Sequence, residues 1–429
     1  MYRNIITRLR EWKDKAHRKP LVLSGARQVG KTYILREFGK QEFDNVAYIN
    51  CDDNSLAKDL FTQDYDMQRI ILAIGAITRQ PIVAGKTLII LDEIQELQRG
   101  LAALKYFCEK APEYHVAVAG SLLGITMHRG ESFPVGKVDI LNIYPMTFDE
   151  FLLAKGREQM VEILKSKDWD TIKLLRNEYI KCLREYYFVG GMPEAVGMFM
   201  ETNDVMRVRD VQKAILFTYN KDMSKHVPAA EANRINMVWR SMPSQLVKEN
   251  KKFIYGVARP GARAKDFETA IQWLMDAGLV YKAERVTEPK MPLKFYTDIS
   301  SFKLFILDCG LLGAMSETPA NKLLVADNGM EESKGAFTEN YVMSQLVATQ
   351  GSSVFYYSND AKLEIDFLIQ HADDIVPIEA KAEENLRAKS LSTFVSKHPQ
   401  MHGLRFSMSD FREQDWMTNV PLYAVSVYF

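Results

Sequence analysis

A glycine-rich segment near the N-terminus has the residue types that bind a nucleoside triphosphate. Residues 25–32, GARQVGKT, fit the pattern G-x-x-x-x-G-K-[ST] between an apolar run, LVLS, and a helical run, TYILREFGK. Glycines let successive backbone N–H groups face phosphate oxygens, and the N-terminus of the next helix adds a partial positive charge. The segment therefore predicts an ATP or GTP site formed by Gly25, Ala26, Arg27, Gln28, Val29, Gly30, Lys31 and Thr32.

Individual side chains of this segment have distinct expected roles. Lys31 is expected to contact the β- and γ-phosphates, and the Thr32 hydroxyl to ligate the Mg²⁺ that bridges them. We interpret Arg27 as a surface cation on the loop.

Two acids after a buried strand are expected to complete this site. The apolar run LIIL is followed directly by Asp92 and Glu93. Asp92 is expected to hold Mg²⁺, and Glu93 to orient or deprotonate the attacking water. Ser121, after the run HVAVAG, has two equally supported interpretations: a polar group that senses the γ-phosphate, or a helix N-cap.

A second acidic group lies near the C-terminus. Asp366 lies in KLEIDFLIQ, and Glu379 and Lys381 lie on one face of the predicted strand IVPIEAK because alternate strand residues point the same way. Glu339, on the helix GAFTENYVMSQLVAT, is expected to complete the group. Two carboxylates and a lysine suit a magnesium-dependent phosphodiesterase, although E-x-K on a strand is also a common cross-strand ion pair.

A local basic segment offers contacts for nucleic acid. The 55 basic and 55 acidic residues give a formal net charge of zero, which excludes a chain-wide basic field. Basic residues nevertheless cluster at Lys248, Lys251, Lys252, Arg259, Arg263 and Lys265. We interpret this basic segment as a possible contact for duplex DNA, and the alternative is a solvated helical face.

The surrounding elements predict four domains within 429 residues. The fold class is α/β: residues 1–150 form a parallel-sheet ATPase domain with strands at 21–24, 46–50, 88–91 and 116–119. Residues 151–240 form a helical lid or connector, and residues 241–325 a winged-helix-like segment whose strands are YKAERV and LKFYTD. Residues 326–429 form another α/β domain that closes on LYAVSVYF. We assign Phe267 and Trp273 to the core.

The remaining composition indicates a cytoplasmic protein without a membrane segment. The four cysteines are far apart in sequence and form no C-x-x-C pair, so no disulfide framework is expected. The charged N-terminal segment lacks the apolar stretch of a signal peptide. No apolar run approaches the length of a membrane span.

These motifs together resemble a bacterial and archaeal family of AAA-type ATPases with a C-terminal DUF4143 region. The resemblance rests on SGARQVGKT, LDEIQ, AGS, YPMTFDEFL, FVGGMPEAV, ENKKFIYGV, GAFTEN and LEIDFLI…PIEAK, and spans nearly the whole chain. It implies a P-loop fold of the additional-strand class and a C-terminal core similar to PD-(D/E)XK nucleases. One departure is Gly136-Lys137, where such proteins commonly carry Gly-Arg, because lysine lacks the bidentate fork of arginine.

Three functional hypotheses follow. The first is a Mg-dependent ATPase coupled to the C-terminal half, with DNA, another protein or a second copy of the chain as partner. The second is a nucleotide-gated DNA-binding regulator in which the C-terminal carboxylates are structural. The third is an ATP-controlled, Mg-dependent DNA nuclease.

Overall fold

The chain forms two compact units. The computed structural model describes residues 1–120, 133–225, 227–248, 252–324, 331–351, 353–359, 363–383 and 389–429. The nucleotide-site residues belong to one unit, which comprises Tyr2–Tyr144 and Asp276–Gly278. The other unit comprises Met1, Pro145–Met275 and Leu279–Phe429.

The N-terminal unit is built on a five-stranded parallel sheet. Its strands are β1 (Leu21–Ser24), β2 (Asn45–Asn50), β3 (Thr87–Asp92), β4 (His115–Ala119) and β5 (Asp139–Asn142), in the order β2-β3-β4-β1-β5. Its helices are α1 (Ile5–Asp14), α2 (Lys31–Glu42), α3 (Met67–Thr78) and α4 (Gly100–Lys110). The predicted parallel sheet is confirmed, and β5 is a strand that the sequence pattern did not reveal.

Burial explains why the inner strands are continuous apolar runs. Every residue of β3 and of β4 is buried, so neither strand alternates apolar with polar residues. The edge strand β5 alternates between half-buried and exposed positions. The buried strands place their carboxyl ends, and the polar residues that follow them, at one edge of the sheet.

The C-terminal unit begins with a helical region. Its helices up to residue 276 are α5 (Phe148–Ala154), α6 (Glu158–Ser166), α7 (Trp169–Leu174), α8 (Arg176–Val189), α9 (Pro193–Thr202), α10 (Val205–Lys225), α11 (Ala229–Leu246), α12 (Tyr255–Ala258) and α13 (Glu268–Asp276). Phe267 and Trp273 are buried, as predicted. No helix in the described part of the chain is both long and apolar enough to cross a bilayer.

A mixed eight-stranded sheet follows. Its strands are β6 (Val280–Val286), β7 (Thr297–Ile306), β8 (Val354–Ser358), β9 (Glu364–His371), β10 (Asp374–Ala380), β11 (Gly403–Ser407), β12 (Arg412–Gln414) and β13 (Met417–Pro421). The strand order is β12-β13-β11-β10-β9-β8-β6-β7. Its helices are α14 (Cys309–Met315), α15 (Ala320–Leu324), α16 (Glu331–Gln350), α17 (Lys389–Lys397) and α18 (Val425–Tyr428).

The predicted winged-helix hairpin is part of this larger sheet. Strands β6 and β7 pair antiparallel, and β6 also pairs parallel with β8. The sheet therefore runs across the boundary predicted at residues 325 and 326. The winged-helix interpretation and the four domain boundaries stay predictions.

One local expectation differs from the structure, and one segment without a predicted element is helical. Residues 293–296 of LKFYTD form a short 3₁₀ helix before β7, and the closing segment LYAVSVYF is a 3₁₀ turn, Leu422–Ala424, followed by α18. Both segments are rich in residues that favour strands, but the surrounding packing decides which structure such a segment adopts.

Asp308 joins two segments of the C-terminal unit. This buried carboxylate caps α14 by accepting a hydrogen bond from the Leu311 N–H at 2.8 Å, and it also accepts one from the Gly191 N–H at 2.5 Å. A Cβ on Gly190 would lie 2.3 Å from the same carboxylate, which explains the glycine there. Asp308 thus connects the Gly190-Gly191 turn to α14.

Replacing Asp308 with asparagine should remove one component of the pH dependence of stability. Burial raises the pKa of Asp308 to about 6, although three backbone N–H groups act against this rise. A raised carboxyl pKa makes the free energy of unfolding fall as pH rises from about 4 to about 6, by about 3 kcal/mol for this group. Denaturant titrations at several pH values between 4 and 7 measure the free energy of unfolding. In Asp308→Asn this free energy should lack the part of the fall that comes from Asp308.

The matched control is Asp204→Asn, because Asp204 accepts from the Met206 N–H in the first turn of a helix but is partly exposed. An identical pH slope for wild type and Asp308→Asn would contradict the role of this carboxyl.

Candidate nucleotide-binding site

The glycine-rich loop connects β1 to α2. Gln28 and Gly30 adopt left-handed backbone conformations, with φ of 65° and 93°. Left-handed residues among right-handed ones turn N–H groups into a concave anion-binding nest. At the start of the loop, a Cβ on Gly25 would lie 2.2 Å from the carbonyl oxygen of Ile143, so only glycine fits. Arg27 is exposed, whereas Ala26 and Val29 are buried.

Lys31 is the first residue of α2 and is directed into the loop. Its Nζ donates hydrogen bonds to the carbonyl oxygens of Gly25 at 2.8 Å and Ala26 at 2.7 Å, and only 7% of the residue is exposed. Burial lowers its pKa to about 8, although the carboxylates of Glu93 and Asp92 act against this effect. Phosphate oxygens would supply the negative charge that this buried ammonium favours.

The loop is fixed from outside by a residue that sequence reasoning missed. The guanidinium of Arg3, which is 5% exposed, donates to the carbonyl oxygen of Val29 at 2.8 Å and to that of Tyr144 at 2.6 Å. Two carbonyls far apart in sequence are thereby joined. No motif around Arg3 signals this contact, because it depends on long-range packing.

Thr32, Asp92 and Tyr48 meet at the edge of the sheet. The Thr32 hydroxyl donates to Oδ2 of Asp92 at 2.6 Å, and the Tyr48 hydroxyl donates to the same oxygen at 3.1 Å. Burial, together with Asp92, raises the pKa of Tyr48 to about 12, so its phenol stays a donor near neutral pH. Tyr48 lies on β2, beside β3, and sequence reasoning assigned it no role.

This arrangement fits a magnesium ion. Mg²⁺ prefers hard oxygen ligands and is held in P-loop sites by a hydroxyl and a carboxylate. Here Thr32 Oγ1 and Asp92 Oδ2 are adjacent, and Asp92 is 6% exposed. The two side chains therefore have the right chemistry and proximity to hold the ion, which would neutralise triphosphate charge.

Glu93 follows Asp92 at the point where the chain leaves β3. It has a left-handed backbone with φ of 51°, and its Oε2 accepts a hydrogen bond from Nε2 of Gln95 at 2.5 Å. Gln95 therefore orients the Glu93 carboxylate. Gln95 belongs to the motif LDEIQ, so a sequence signal for this contact existed.

Replacing Tyr48 with phenylalanine tests whether Asp92 is oriented through this hydroxyl. The variant keeps the ring, which the Arg36 guanidinium covers at 4.9 Å, and removes one hydrogen bond, worth about 0.5–1.5 kcal/mol. We expect ATP affinity in Mg²⁺ to fall about threefold to tenfold, with little change in EDTA. Fluorescent-nucleotide titrations can measure both. Equal losses in Mg²⁺ and EDTA would point to a general structural defect instead.

Two other positions singled out by the sequence have different outcomes. Ser121 falls outside the described residues, so its two interpretations stay open. Lys137 forms an exposed ion pair with Glu109 at 2.8 Å, on α4. This pairing accounts for the charge of Lys137 without a phosphate.

The predicted C-terminal group is partly assembled. Oδ2 of Asp366 accepts from the Ala380 N–H at 2.9 Å, and Lys381 pairs with Oε1 of Glu379 at 2.8 Å. Burial opposes the charge of Lys381, but Glu379, Asp366 and Glu339 together raise its pKa. Among the described residues, no group of three or more His, Cys, Asp or Glu side chains is placed to hold a metal ion.

The basic segment is partly neutralised. Asp266 pairs with Arg259 at 3.5 Å and accepts from the backbone N–H of Arg263 at 2.8 Å. Lys252, Arg263 and Lys265 are exposed, Lys248 is partly exposed, and Lys251 falls outside the described residues.

Comparison with known families identifies the class of the N-terminal unit. A model of an AAA domain matches residues 17–152. A domain of unknown function, DUF8612, matches residues 180–322, and another, DUF4143, matches residues 334–425. The predicted architecture is confirmed: the chain joins an AAA domain to a DUF4143 domain. The similarity of the C-terminal core to PD-(D/E)XK nucleases stays a prediction. No curated protein matches the chain.

Solved structures show weaker similarity. A Walker-type ATPase of Pyrococcus abyssi is 15% identical, with a TM-score of 0.45 over 73% of this chain and 95% of its own. The Aeropyrum pernix Orc1 protein in complex with DNA is 12% identical, with a TM-score of 0.29 over 76% and 95%. The Aeropyrum pernix Orc2 protein in ADPNP–ADP complexes is 13% identical, with a TM-score of 0.33 over 77% and 90%. At these values the similarities carry no functional argument.

Proposed function

We propose that the chain binds Mg-ATP at the loop 25–32 and hydrolyses it to ADP and phosphate. The observation that carries the proposal is the hydrogen bond between Thr32 and Asp92, 2.6 Å long, beside the buried ammonium of Lys31. These residues come from two separate motifs and supply the hydroxyl, carboxylate and cation that a P-loop ATPase requires.

Each residue has one role in this proposal. The backbone N–H groups of the loop and Lys31 bind the phosphates, while Thr32 and Asp92 hold Mg²⁺. Bound Mg²⁺ would neutralise charge on the β- and γ-phosphate oxygens. Glu93 accepts a proton from the attacking water and Gln95 orients its carboxylate; Ser121 remains a candidate γ-phosphate contact.

Calorimetric titration of the wild-type chain with ATP in Mg²⁺ tests the binding step. We expect one nucleotide per chain and much weaker binding in EDTA. Binding that is absent in Mg²⁺ would contradict the proposal. Phosphate release in the same preparation, with and without duplex DNA, then tests turnover.

A second candidate function is nucleotide-gated binding of duplex DNA. The exposed side chains of Lys252, Arg263 and Lys265 favour it, because phosphate contacts are made by exposed cations. Lys252→Ala/Arg263→Ala/Lys265→Ala should weaken duplex binding uniformly across sequences and reduce its salt dependence. Unchanged binding and salt slope would contradict this candidate. A protein partner, a homo-oligomer and a nuclease activity stay predictions.

A further inference from the structure

A buried lysine lies within the C-terminal carboxylate group. Lys303, on β7, is 1% exposed and forms an ion pair with Glu364 on β9. Its Nζ also lies 4.9 Å from the centre of the Tyr356 ring. Sequence reasoning gave Lys303 no role, because β7 precedes the carboxylate-bearing strands by about sixty residues and its place in their sheet has no local signal.

Three carboxylates act on the Lys303 ammonium. Glu339 on α16 and Glu364 and Asp366 on β9 all interact favourably with its charge. Residues 364 and 366 are two apart on one strand, so they lie on the same face of the sheet. The charge of these three carboxylates, which a divalent ion would share, is therefore already partly neutralised by the Lys303 ammonium.

Two cations also act on the other end of the group. Glu379 pairs with Lys381 at 2.8 Å, and its direct partner on the neighbouring parallel strand is Arg405, which is 2% exposed. The favourable charge interaction between Glu379 and Arg405 acts across this strand pair. The network thus contains four carboxylates (Glu339, Glu364, Asp366 and Glu379) and three cations (Lys303, Lys381 and Arg405).

The three cations offset most of the charge of the four carboxylates, and this arrangement does not fit a magnesium centre. A carboxylate site attracts Mg²⁺ through negative charge that the protein leaves uncompensated. Here a divalent ion would be repelled by the buried ammonium of Lys303. That ammonium cannot move into solvent without losing its ion pair with Glu364. Leaving one member of a buried ion pair without its partner is strongly unfavourable.

We propose that the Lys303 ammonium is the resident cation of the C-terminal centre, and that the centre consequently binds no divalent metal in the native chain. Its carboxylates instead connect β7, β9, β10 and α16. This inference does not depend on ATP hydrolysis at the nucleotide site.

Mn²⁺ titration of the full-length chain tests this proposal without an activity assay. All chains carry Asp92→Asn, so that the nucleotide site does not respond, and no nucleotide is added. We expect no stoichiometric Mn²⁺ binding by calorimetry or electron paramagnetic resonance in this parent. Lys303→Met should bind one Mn²⁺ per chain, and adding Asp366→Asn should abolish that binding.

Two controls separate the charge from a general loss of stability. Lys290→Met removes an exposed lysine that pairs with Glu288 and should behave like the parent. Lys303→Arg keeps the charge and should bind no Mn²⁺. If Lys303→Met does not fold, the titration of the parent still decides the proposal.

Three results would overturn the proposal: one Mn²⁺ bound by the parent and lost with Asp366→Asn, folded Lys303→Met that binds none, or Mg²⁺-dependent DNA cleavage abolished by Glu379→Gln.

Discussion

Replacing Lys31 with alanine is expected to abolish ATP binding. The Lys31 ammonium is held in the loop by the carbonyls of Gly25 and Ala26, where phosphate oxygens can replace these acceptors. Loss of charge-assisted hydrogen bonds to two phosphates should cost about 3 kcal/mol or more, which is at least about a hundredfold in affinity. Calorimetric titration with ATP in Mg²⁺ measures this change.

The matched control is Lys40→Ala, on the same helix. Lys40 is exposed and forms an ion pair with Glu37 at 2.8 Å, so its replacement should leave ATP affinity unchanged. Equal affinity of Lys31→Ala and wild type would contradict the assignment of the phosphate-binding loop.

Replacing Glu93 with glutamine is expected to stop hydrolysis while preserving ATP binding. Glutamine keeps the size of the side chain but does not accept a proton from water, and general-base catalysis contributes about 10²–10⁴-fold to rate. The phosphates are bound by other residues, so affinity should change little. Phosphate release under single-turnover conditions gives the rate, and calorimetry gives the affinity.

Glu96→Gln provides the comparison, because Glu96 is an exposed acid in the 3₁₀ turn Ile94–Glu96, which directly follows Glu93. Its hydrolysis rate should equal that of wild type. A Glu93→Gln chain that hydrolyses ATP at the wild-type rate would assign the base to another residue.

Local sequence was sufficient to predict which residues meet at the candidate nucleotide site. A strand that is covered on both faces has no polar positions until it ends. Glycines or acids directly after an apolar run therefore indicate the end of such a strand. Thr32 and Asp92, 60 residues apart, meet as the two motifs predicted. Tyr48 and Arg3 were missed because their contacts arise from packing between distant segments.

The C-terminal unit was harder to predict because its organisation depends on strand pairing over long sequence separations. Strand β6 pairs with β8 across more than sixty residues, which no local pattern specifies. For the same reason Lys303 was not associated with Asp366 and Glu379. The E-x-K spacing was visible in the sequence, but the charge balance around it was not.

The most direct test of nucleotide binding at this site is a structure of the chain with a non-hydrolysable ATP analogue and Mg²⁺. We expect the β- and γ-phosphates to contact the N–H groups of residues 25–32 and Lys31, and Mg²⁺ to lie between the Thr32 hydroxyl and Asp92. Phosphates located elsewhere, or an intact Thr32–Asp92 hydrogen bond with no ion beside it, would contradict the account.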